Sequence, residues 1–216
     1  MEHVTINQAS AEMVAAKLLD IGAIKLRPQD PFTWSSGWKS PIYCDNRLSL
    51  SYPVIRKLIK ESLSKAIRDH FKDAEYIGGV ATAGIPQGAL VADALELPFI
   101  YVRPKPKDHG MGNLIEGRIE KGKKVVLVED LISTGGSSLR AAATLKDAGL
   151  KVVGMVAVFT YGFEVAEKGF REAGIPLVCL TDFNQLITVA AKNRQLDEGA
   201  LVHVKSWRLD PASWTP

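Results

Sequence analysis

The segment VVLVEDLISTGGSSLRAAATLKDAG, residues 125–149, joins three parts that together decide the fold. An uninterrupted aliphatic run leads into two adjacent carboxylates, Glu129 and Asp130. A short turn rich in hydroxyl groups and glycine follows, and then a stretch with helical spacing. Continuous apolar strands are typical of a parallel sheet that is covered by helices on both faces. The segment therefore predicts a strand–loop–helix unit inside such a sheet.

Strand-like and helix-like patterns alternate along the chain after about residue 50. The runs EYIGGV, LPFIYV, KVVGMVAVFT and PLVCL predict further strands, and the segments between them have helical spacing. We predict an α/β fold with a mainly parallel twisted sheet, helices on both faces and a small N-terminal hood. Residues 1–50 are expected to form an N-terminal helix and the hood, residues 51–195 the α/β core, and residues 196–216 a C-terminal extension.

Local signals predict several boundaries ahead of the core. Residues 8–22 have helical spacing and end on Gly22, which predicts a helix with a glycine stop. Ser51 is expected to cap the next helix, with Pro53 in its first turn. The aromatic and glycine-containing segment FTWSSGWKSPIYCDNR, residues 32–47, predicts short strands around a turn.

Composition, charge and cysteine spacing indicate an ordinary domain rather than a nucleic-acid-binding, membrane-spanning or disulfide-rich protein. The 216 residues are 46% hydrophobic and 24% charged, as in an ordinary soluble domain. The formal net charge of +3 is too small to indicate nucleic-acid binding, and no run of 18 apolar residues predicts a membrane span. Cys44 and Cys179 form no CxxC pair, so a reducing, cytoplasmic setting is expected.

The residues at the ends of the predicted strands suit a phosphorylated sugar. Residues 133–137 lie between a strand and a helix, where glycines allow close approach and free N–H groups bind anions. The carboxylates of Glu129 and Asp130 are acceptors, suited to sugar hydroxyls or, through water, to Mg²⁺. Each feature alone is more typical of a polar strand end or a plain turn, but together, directly after a buried strand, they favour a ligand such as ribose 5-phosphate.

Two other segments have competing interpretations. GRIEKGKK, residues 117–124, is the nearest match to a nucleotide P-loop, but it has Lys124 where Ser or Thr is required and it precedes a strand. YVRPKPKDHGMGNLIEG, residues 101–117, is either a solvated basic loop or a mobile lid over a polyanion.

These segments resemble those of one enzyme family. The aliphatic strand, the two acids and LISTGGSS resemble the signature of phosphoribosyltransferases that use phosphoribosyl pyrophosphate (PRPP). The loop at 101–117, with its Arg-x-x-x-Lys-Asp-His-Gly core, resembles the catalytic loop of orotate phosphoribosyltransferases. Residues 32–47 resemble that family's N-terminal SGxxSPxY segment, which helps to form the base pocket.

The resemblance implies an activity and a set of site residues. It implies transfer of the phosphoribosyl group from PRPP to orotate in pyrimidine biosynthesis, with Mg²⁺ held mainly by PRPP and water, in a homodimer whose Arg103 reaches the neighbouring site. The implied catalytic residues are Arg103, Lys107, His109 and Asp130. The implied PRPP contacts are Arg103, Lys107, His109, Glu129, Asp130, Leu131, Ile132, Ser133, Thr134, Gly135, Gly136 and Ser137. The implied orotate contacts are Ser133, Lys25, Tyr43 and Arg47.

The chain departs from the family pattern in three places. Pro104 follows the lid arginine where a lysine is common, so that Lys105 is its nearest substitute. Thr82-Ala83 replaces Tyr-Lys before GIP, and VFTYGF lacks the arginine that holds the orotate carboxylate in some members. The alternatives left open are a phosphoribosyltransferase for another base, a PRPP-binding regulator and, lowest, a Rossmann dehydrogenase, for which no GxGxxG follows a strand.

Overall fold

A computed structural model describes residues 3–34, 37–105 and 114–215. Its helices are α1 (Gln8–Asp20), α2 (Pro53–His70), α3 (Gly84–Leu95), α4 (Gly136–Asp147), α5 (Glu164–Ala173), α6 (Phe183–Lys192) and α7 (Glu198–Leu209), with a 3₁₀ helix at Asn46–Ser51. Its strands are β1 (Val4–Thr5), β2 (Ile24–Leu26), β3 (Phe32–Thr33), β4 (Lys39–Ser40), β5 (Ile42–Cys44), β6 (Tyr76–Val80), β7 (Phe99–Val102), β8 (Ile115–Glu116), β9 (Lys124–Ile132), β10 (Lys151–Thr160) and β11 (Leu177–Asp182).

The main sheet has seven strands in the order β1-β11-β10-β9-β6-β7-β8. All neighbours in it are parallel except β8, which runs antiparallel to β7. Because the parallel strands end at one edge, the loops after β6, β7, β9 and β10 lie together there. This confirms the predicted α/β fold with a mainly parallel sheet.

Helices cover both faces of this sheet. Val126 and Val128 of β9 pack in a core with residues of α1, α2, α3, α6 and α7, while Val125 and Leu127 pack in a second core with residues of α4 and α5. Successive side chains of a strand point to opposite faces, so an aliphatic run buries both. The continuous apolar character of β9 is therefore the reason that the sheet needs two helical layers.

Two small antiparallel strand pairs and the 3₁₀ helix that follows them, Asn46–Ser51, form the hood. β2 pairs with β5, and β3 pairs with β4. The structure differs from the expectation for residues 1–50 in that β1 belongs to the main sheet and α1 packs on β11 and α6. The apolar face of α1, with Leu18 fully buried, covers the sheet, so the hood proper begins after Gly22.

Two local predictions need correction. Ser51 does not cap α2, because it ends the preceding 3₁₀ helix, and Tyr52 holds the cap position without a side-chain hydrogen bond. The acid pair does not end its strand, because β9 continues to Ile132, which pairs with Thr160 of β10. Pro53 does open α2, and Gly22 has a φ of +69° just after α1, as expected. Among the described residues, no helix combines the length and apolar character needed to cross a membrane.

Candidate active site

The two adjacent acids, Glu129 and Asp130, lie at the edge of the sheet and are largely shielded from solvent. Glu129 is only 5% exposed, and its carboxylate accepts hydrogen bonds from the Asp130 N–H at 3.0 Å and the Ser138 hydroxyl at 3.2 Å. Burial, followed by the neighbouring charge of Asp130, raises the pKa of Glu129 well above its ordinary value. Burial also raises the pKa of Asp130, and hydrogen bonds and the charge of Arg47 partly offset that rise. The sheet thus holds two carboxyl groups where burial disfavours their ionised forms, and a nearby positive charge would favour those forms.

The hood is tied directly to this pair. Asn46 is fully buried and donates a hydrogen bond from Nδ2 to the backbone carbonyl of Asp130 at 2.7 Å. Ser49 donates to the Asn46 carbonyl at 2.6 Å, and Gln87 of α3 donates to the Ser49 hydroxyl at 3.3 Å. This chain of hydrogen bonds fixes the 3₁₀ helix of the hood over the acid strand without using the carboxylates.

The turn between β6 and α3 packs against the same strand. A Cβ atom at Gly84 would clash with the carbonyl oxygen of Val128, so only glycine permits this approach. Ala81, Thr82 and Ala83 therefore line the same cleft as Glu129 and Asp130.

The predicted phosphate loop forms the N-terminal end of α4. Gly135 holds the cap position with a φ of +77°, a left-handed conformation that glycine adopts without strain. No side chain caps this helix, so its first N–H groups point out of the helix towards the site. The arrangement suits a phosphate monoester.

These parts surround a cleft of about 330 Å³, here called the acid cleft. Its walls are Cys44, Asp45, Arg47, Ala81, Thr82, Ala83, Glu129, Asp130, Leu131 and Ser137. Arg47 binds Asp45 with two hydrogen bonds, of 2.6 Å and 3.0 Å. Arg47 is the positive group that the hood contributes to this cleft.

An adjoining cavity of about 520 Å³, here called the aromatic cavity, lies between the hood and the ends of β9 and β10. Its walls are Trp34, Trp38, Tyr43, Cys44, Leu131, Ser133, Thr134 and Tyr161. Cys44 and Leu131 line both this cavity and the acid cleft, so a ligand can extend from one to the other. Aromatic walls of this kind favour a planar ring.

A third, smaller cavity of about 140 Å³ is basic. Arg103 and Arg140 line it, and it shares Ala81 and Ser137 with the acid cleft. The Arg103 N–H bonds to the Leu114 carbonyl at 2.8 Å, which closes the base of the 103–114 loop, and its guanidinium lies 3.4 Å from Glu116. The acid cleft therefore adjoins both other cavities, the aromatic one at Cys44 and Leu131 and the basic one at Ala81 and Ser137.

The structure separates the residues predicted to bind orotate. Ser133 and Tyr43 line the aromatic cavity, and Lys25 lies directly opposite Tyr43 in the β2–β5 pair, on the same face. Arg47, by contrast, lines the acid cleft. Lys107 and His109 lie outside the described residues.

Sequence reasoning did not single out Asn46, Asp45, Arg140 or the C-terminal helix. Asp45 and Asn46 adjoin Arg47 in the quoted CDNR stretch, so polar residues next to a predicted contact were the available signal. Arg140 lies one helical turn after the phosphate loop, a spacing that places its side chain over the helix start.

The comparisons with known proteins fit this geometry. A family model described as phosphoribosyl transferase domain matches residues 50–189, the part of the chain that contains the acid pair and the phosphate loop. The fold and the site thus define a phosphoribosyltransferase.

Relatives that are similar over nearly the whole chain show which kind of phosphoribosyltransferase it resembles. The orotate phosphoribosyltransferase of Cytophaga hutchinsonii is 56% identical over 93% of this chain and 96% of its own. That of Bacteroides fragilis is 54% identical over 94% of this chain and 95% of its own. The crystal structure of orotate phosphoribosyltransferase from Aeropyrum pernix has a TM-score of 0.70 at 28% identity, covering 84% of this chain and 99% of that one. The chain belongs to the orotate phosphoribosyltransferase family.

Proposed function

We propose that the protein transfers the 5-phosphoribosyl group of PRPP to orotate and releases orotidine 5′-phosphate and pyrophosphate, a step of pyrimidine nucleotide synthesis. The observation that carries this proposal is the junction of the aromatic cavity with the acid cleft at Cys44 and Leu131. A planar base in the first and a ribose in the second are adjacent there, with the phosphate loop beside both.

The reaction asks the protein for positioning and charge, not for a nucleophile. C1 of the ribose loses pyrophosphate and gains positive character, and a ring nitrogen of orotate forms the new bond. Holding two reactants in line replaces a bimolecular encounter, and fixed charges stabilise the transition state without reorganisation. Glu129 and Asp130 hold the ribose hydroxyls, and their negative charge favours the developing cation.

The remaining groups bind the ends of the two substrates. The loop 133–137 and the start of α4 hold the 5′-phosphate. Ser133, Tyr43 and Lys25 face the base. We assign Arg47 to the PRPP side, because it lines the acid cleft together with Ala81, Thr82 and Ala83. There it can offset pyrophosphate charge, since this chain has Thr82-Ala83 where many family members have Tyr-Lys. The predicted roles of Lys107 and His109 at the pyrophosphate remain predictions.

Magnesium is the implied cofactor. The described residues contain no group of three or more His, Cys, Asp or Glu that could hold a metal ion. The carboxylates of Asp45 and Asp130 do line the acid cleft, where they can accept hydrogen bonds from the water ligands that Mg²⁺ retains. When bound there with PRPP, Mg²⁺ would supply positive charge to the pyrophosphate.

The assembly and the cellular setting belong to the same proposal. A homodimer would let the loop that begins at Arg103 reach the neighbouring site. A reducing cytoplasm is supported by Cys44 and Cys179, which are both free thiols.

The direct test is the loss of orotate absorbance after PRPP and Mg²⁺ are added to the purified protein, with release of pyrophosphate in equal amount. Uracil, adenine, guanine and hypoxanthine in place of orotate should give no turnover. Turnover with one of these bases and not with orotate would make the protein a phosphoribosyltransferase for another base. Binding of PRPP without turnover of any base would favour a regulator.

A pair of variants tests the division of the site. Ser133→Val should raise the KM for orotate about tenfold and leave that for PRPP near its wild-type value, whereas Arg47→Ala should do the reverse. If Arg47→Ala changed only the orotate KM, the assignment of Arg47 to PRPP would be wrong.

A further inference from the structure

Helix α7 contacts two residues of the aromatic cavity's lining, Trp34 and Tyr161, through Trp207. It lies outside the segment 50–189 that matches the family model. Asp197 caps its start by accepting a hydrogen bond from the Ala200 N–H at 2.7 Å, and Trp207 near its end is fully buried. The cap and the buried face of this helix, formed by Ala200, Val204 and Trp207, hold it against the rest of the fold.

Trp207 joins the hood to the sheet. Its indole N–H donates to the carbonyl of Lys39 in β4 at 3.0 Å. Its ring meets Trp34 edge-on at 5.6 Å and Tyr161 edge-on at 5.5 Å, and both of these rings line the aromatic cavity. Edge-to-face pairs at such separations are favourable and geometrically specific. Trp207 therefore sets the distance between Trp34 of the hood and Tyr161, which directly follows β10.

Arg208 fixes the turn that follows β10. Its Nε donates to the Tyr161 carbonyl at 3.0 Å, and its Nη2 donates to the Gly162 carbonyl at 2.7 Å. The guanidinium also lies over the Phe183 ring at 5.5 Å. Two charge-assisted hydrogen bonds from one planar group leave the turn little freedom.

We propose that Trp207 and Arg208 are positioning residues for the base: they hold Trp34 and Tyr161 at the spacing that receives a planar ring. Neither residue lines the aromatic cavity, so both act through the residues that do. This inference rests on the proposed function, because it takes the aromatic cavity as the orotate site. In the proposed function PRPP is held mainly by β9, the loop 133–137 and the 81–84 turn, so we expect its binding to depend little on α7.

The test is a split between the two substrates. Trp207→Phe keeps an aromatic ring but removes the donor to Lys39. Arg208→Gln removes the charged guanidinium whose two nitrogens donate to the Tyr161 and Gly162 carbonyls. Each should raise the KM for orotate roughly tenfold, since small misplacements of a bound group are costly, and leave the KM for PRPP within about twofold. Arg208→Lys should recover part of the loss, because its ammonium can reach one carbonyl.

Two controls separate positioning from general stability. Lys205→Gln removes an exposed positive charge from the same helix, and Ile59→Val weakens a fully buried contact of α2 away from the cavity. Both should leave the two KM values unchanged, even where Ile59→Val lowers the melting temperature as much as the test variants do.

The outcomes distinguish this inference from the proposed function. Wild-type protein that does not consume orotate would refute the proposed function itself. Active wild-type protein together with a folded Trp207→Phe variant of unchanged orotate KM would overturn only the positioning role. Equal rises in both KM values, matched by Ile59→Val, would reduce α7 to a structural support. If Arg208→Gln fails to fold, Trp207→Phe decides.

Discussion

The charge of Asp130 can be removed without disturbing the contacts that hold its strand. The hood binds the backbone carbonyl of Asp130 through Asn46, not its side chain. We therefore expect Asp130→Asn to fold with a melting temperature that is not lowered and to lose about a hundredfold or more in kcat, as when one preorganised group facing transition-state charge is removed. Steady-state assays beside the surface control Asp73→Asn would check this; near-normal turnover would refute the role of Asp130 towards the ribose cation.

Substitution of Glu129 by glutamine should raise stability and weaken substrate binding. Its pKa in the folded protein lies well above its ordinary value of 4.5, because burial and the charge of Asp130 disfavour the ionised form. The fold therefore loses stability as the pH rises from about 4.5, the ordinary pKa, and the loss is complete above the folded-state pKa; below about pH 4.5 both states are protonated and there is no cost. Glu129→Gln removes the cost and should raise the free energy of unfolding by about 1 kcal/mol or more at pH 8.

The same substitution should weaken PRPP binding, since a carboxylate that accepts ribose hydroxyls is replaced by an amide. Chemical denaturation at pH 8 and at pH 4.5 would test the stability part, with the gain confined to the higher pH. A variant that is less stable than wild type at pH 8 would show that the ionised carboxylate is well accommodated in the folded protein.

At the scale of elements, β1 is held to the sheet by a cluster of ionisable groups. The His3 ring contacts Glu167 of α5 at 3.2 Å and Asp182 of β11 at 3.4 Å, and Thr5 donates to Asp182 at 2.6 Å. Burial opposes protonation of His3, but the two carboxylates outweigh it and raise its pKa above 6.5. Burial likewise opposes ionisation of Asp182, but its hydrogen bonds to His3, Thr5 and Gln185 lower its pKa to about 2.

This cluster predicts a pH-dependent contribution to stability. A raised histidine pKa stabilises the fold fully below 6.5, and the contribution is lost as the pH rises through the folded-state value. The contribution of Asp182 is present above 3.8 and is lost as the pH falls towards 2. His3→Gln should therefore cost roughly 1 to 2 kcal/mol near pH 5.5 and little near pH 9. Thermal unfolding across this range, with the exposed His70→Gln as control, measures the difference; a cost independent of pH would exclude the ion pairs.

Elements with strong local signals were predictable, and elements defined by distant contacts were not. The aliphatic run of β9 indicated the fold directly, and the glycine-containing loop before α4 lies at the helix start where the sequence predicted a phosphate site. The end of β9 was missed because its last residues are strand only through pairing with β10. Ala200, Val204 and Trp207 do have helical spacing after Asp197, so α7 was visible in principle, but its packing against the hood was not.

At the scale of the whole molecule, the hood and the C-terminal helix enclose a site that the sheet edge alone leaves open. β9 supplies the acids, the hood supplies Arg47 and most of the aromatic wall, and α7 joins the hood to the turn after β10. Segments from both ends of the chain thus meet at the aromatic cavity. The sequence could not show this convergence, because it depends on tertiary contacts such as that between Trp207 and Lys39.

The predicted lid that would begin at Arg103 raises the question of which site this arginine serves. Within its own chain, Arg103 lines the basic cavity next to Ser137, whereas a closed two-fold dimer would present it to the neighbour. Mixing inactive Arg103→Ala chains with inactive Asp130→Asn chains decides between these arrangements. If Arg103 acts across the interface, each heterodimer has one intact site, and random pairing returns roughly a quarter of wild-type activity. If Arg103 acts within its chain, every site has one lesion, and no activity returns although heterodimers are detected by mass.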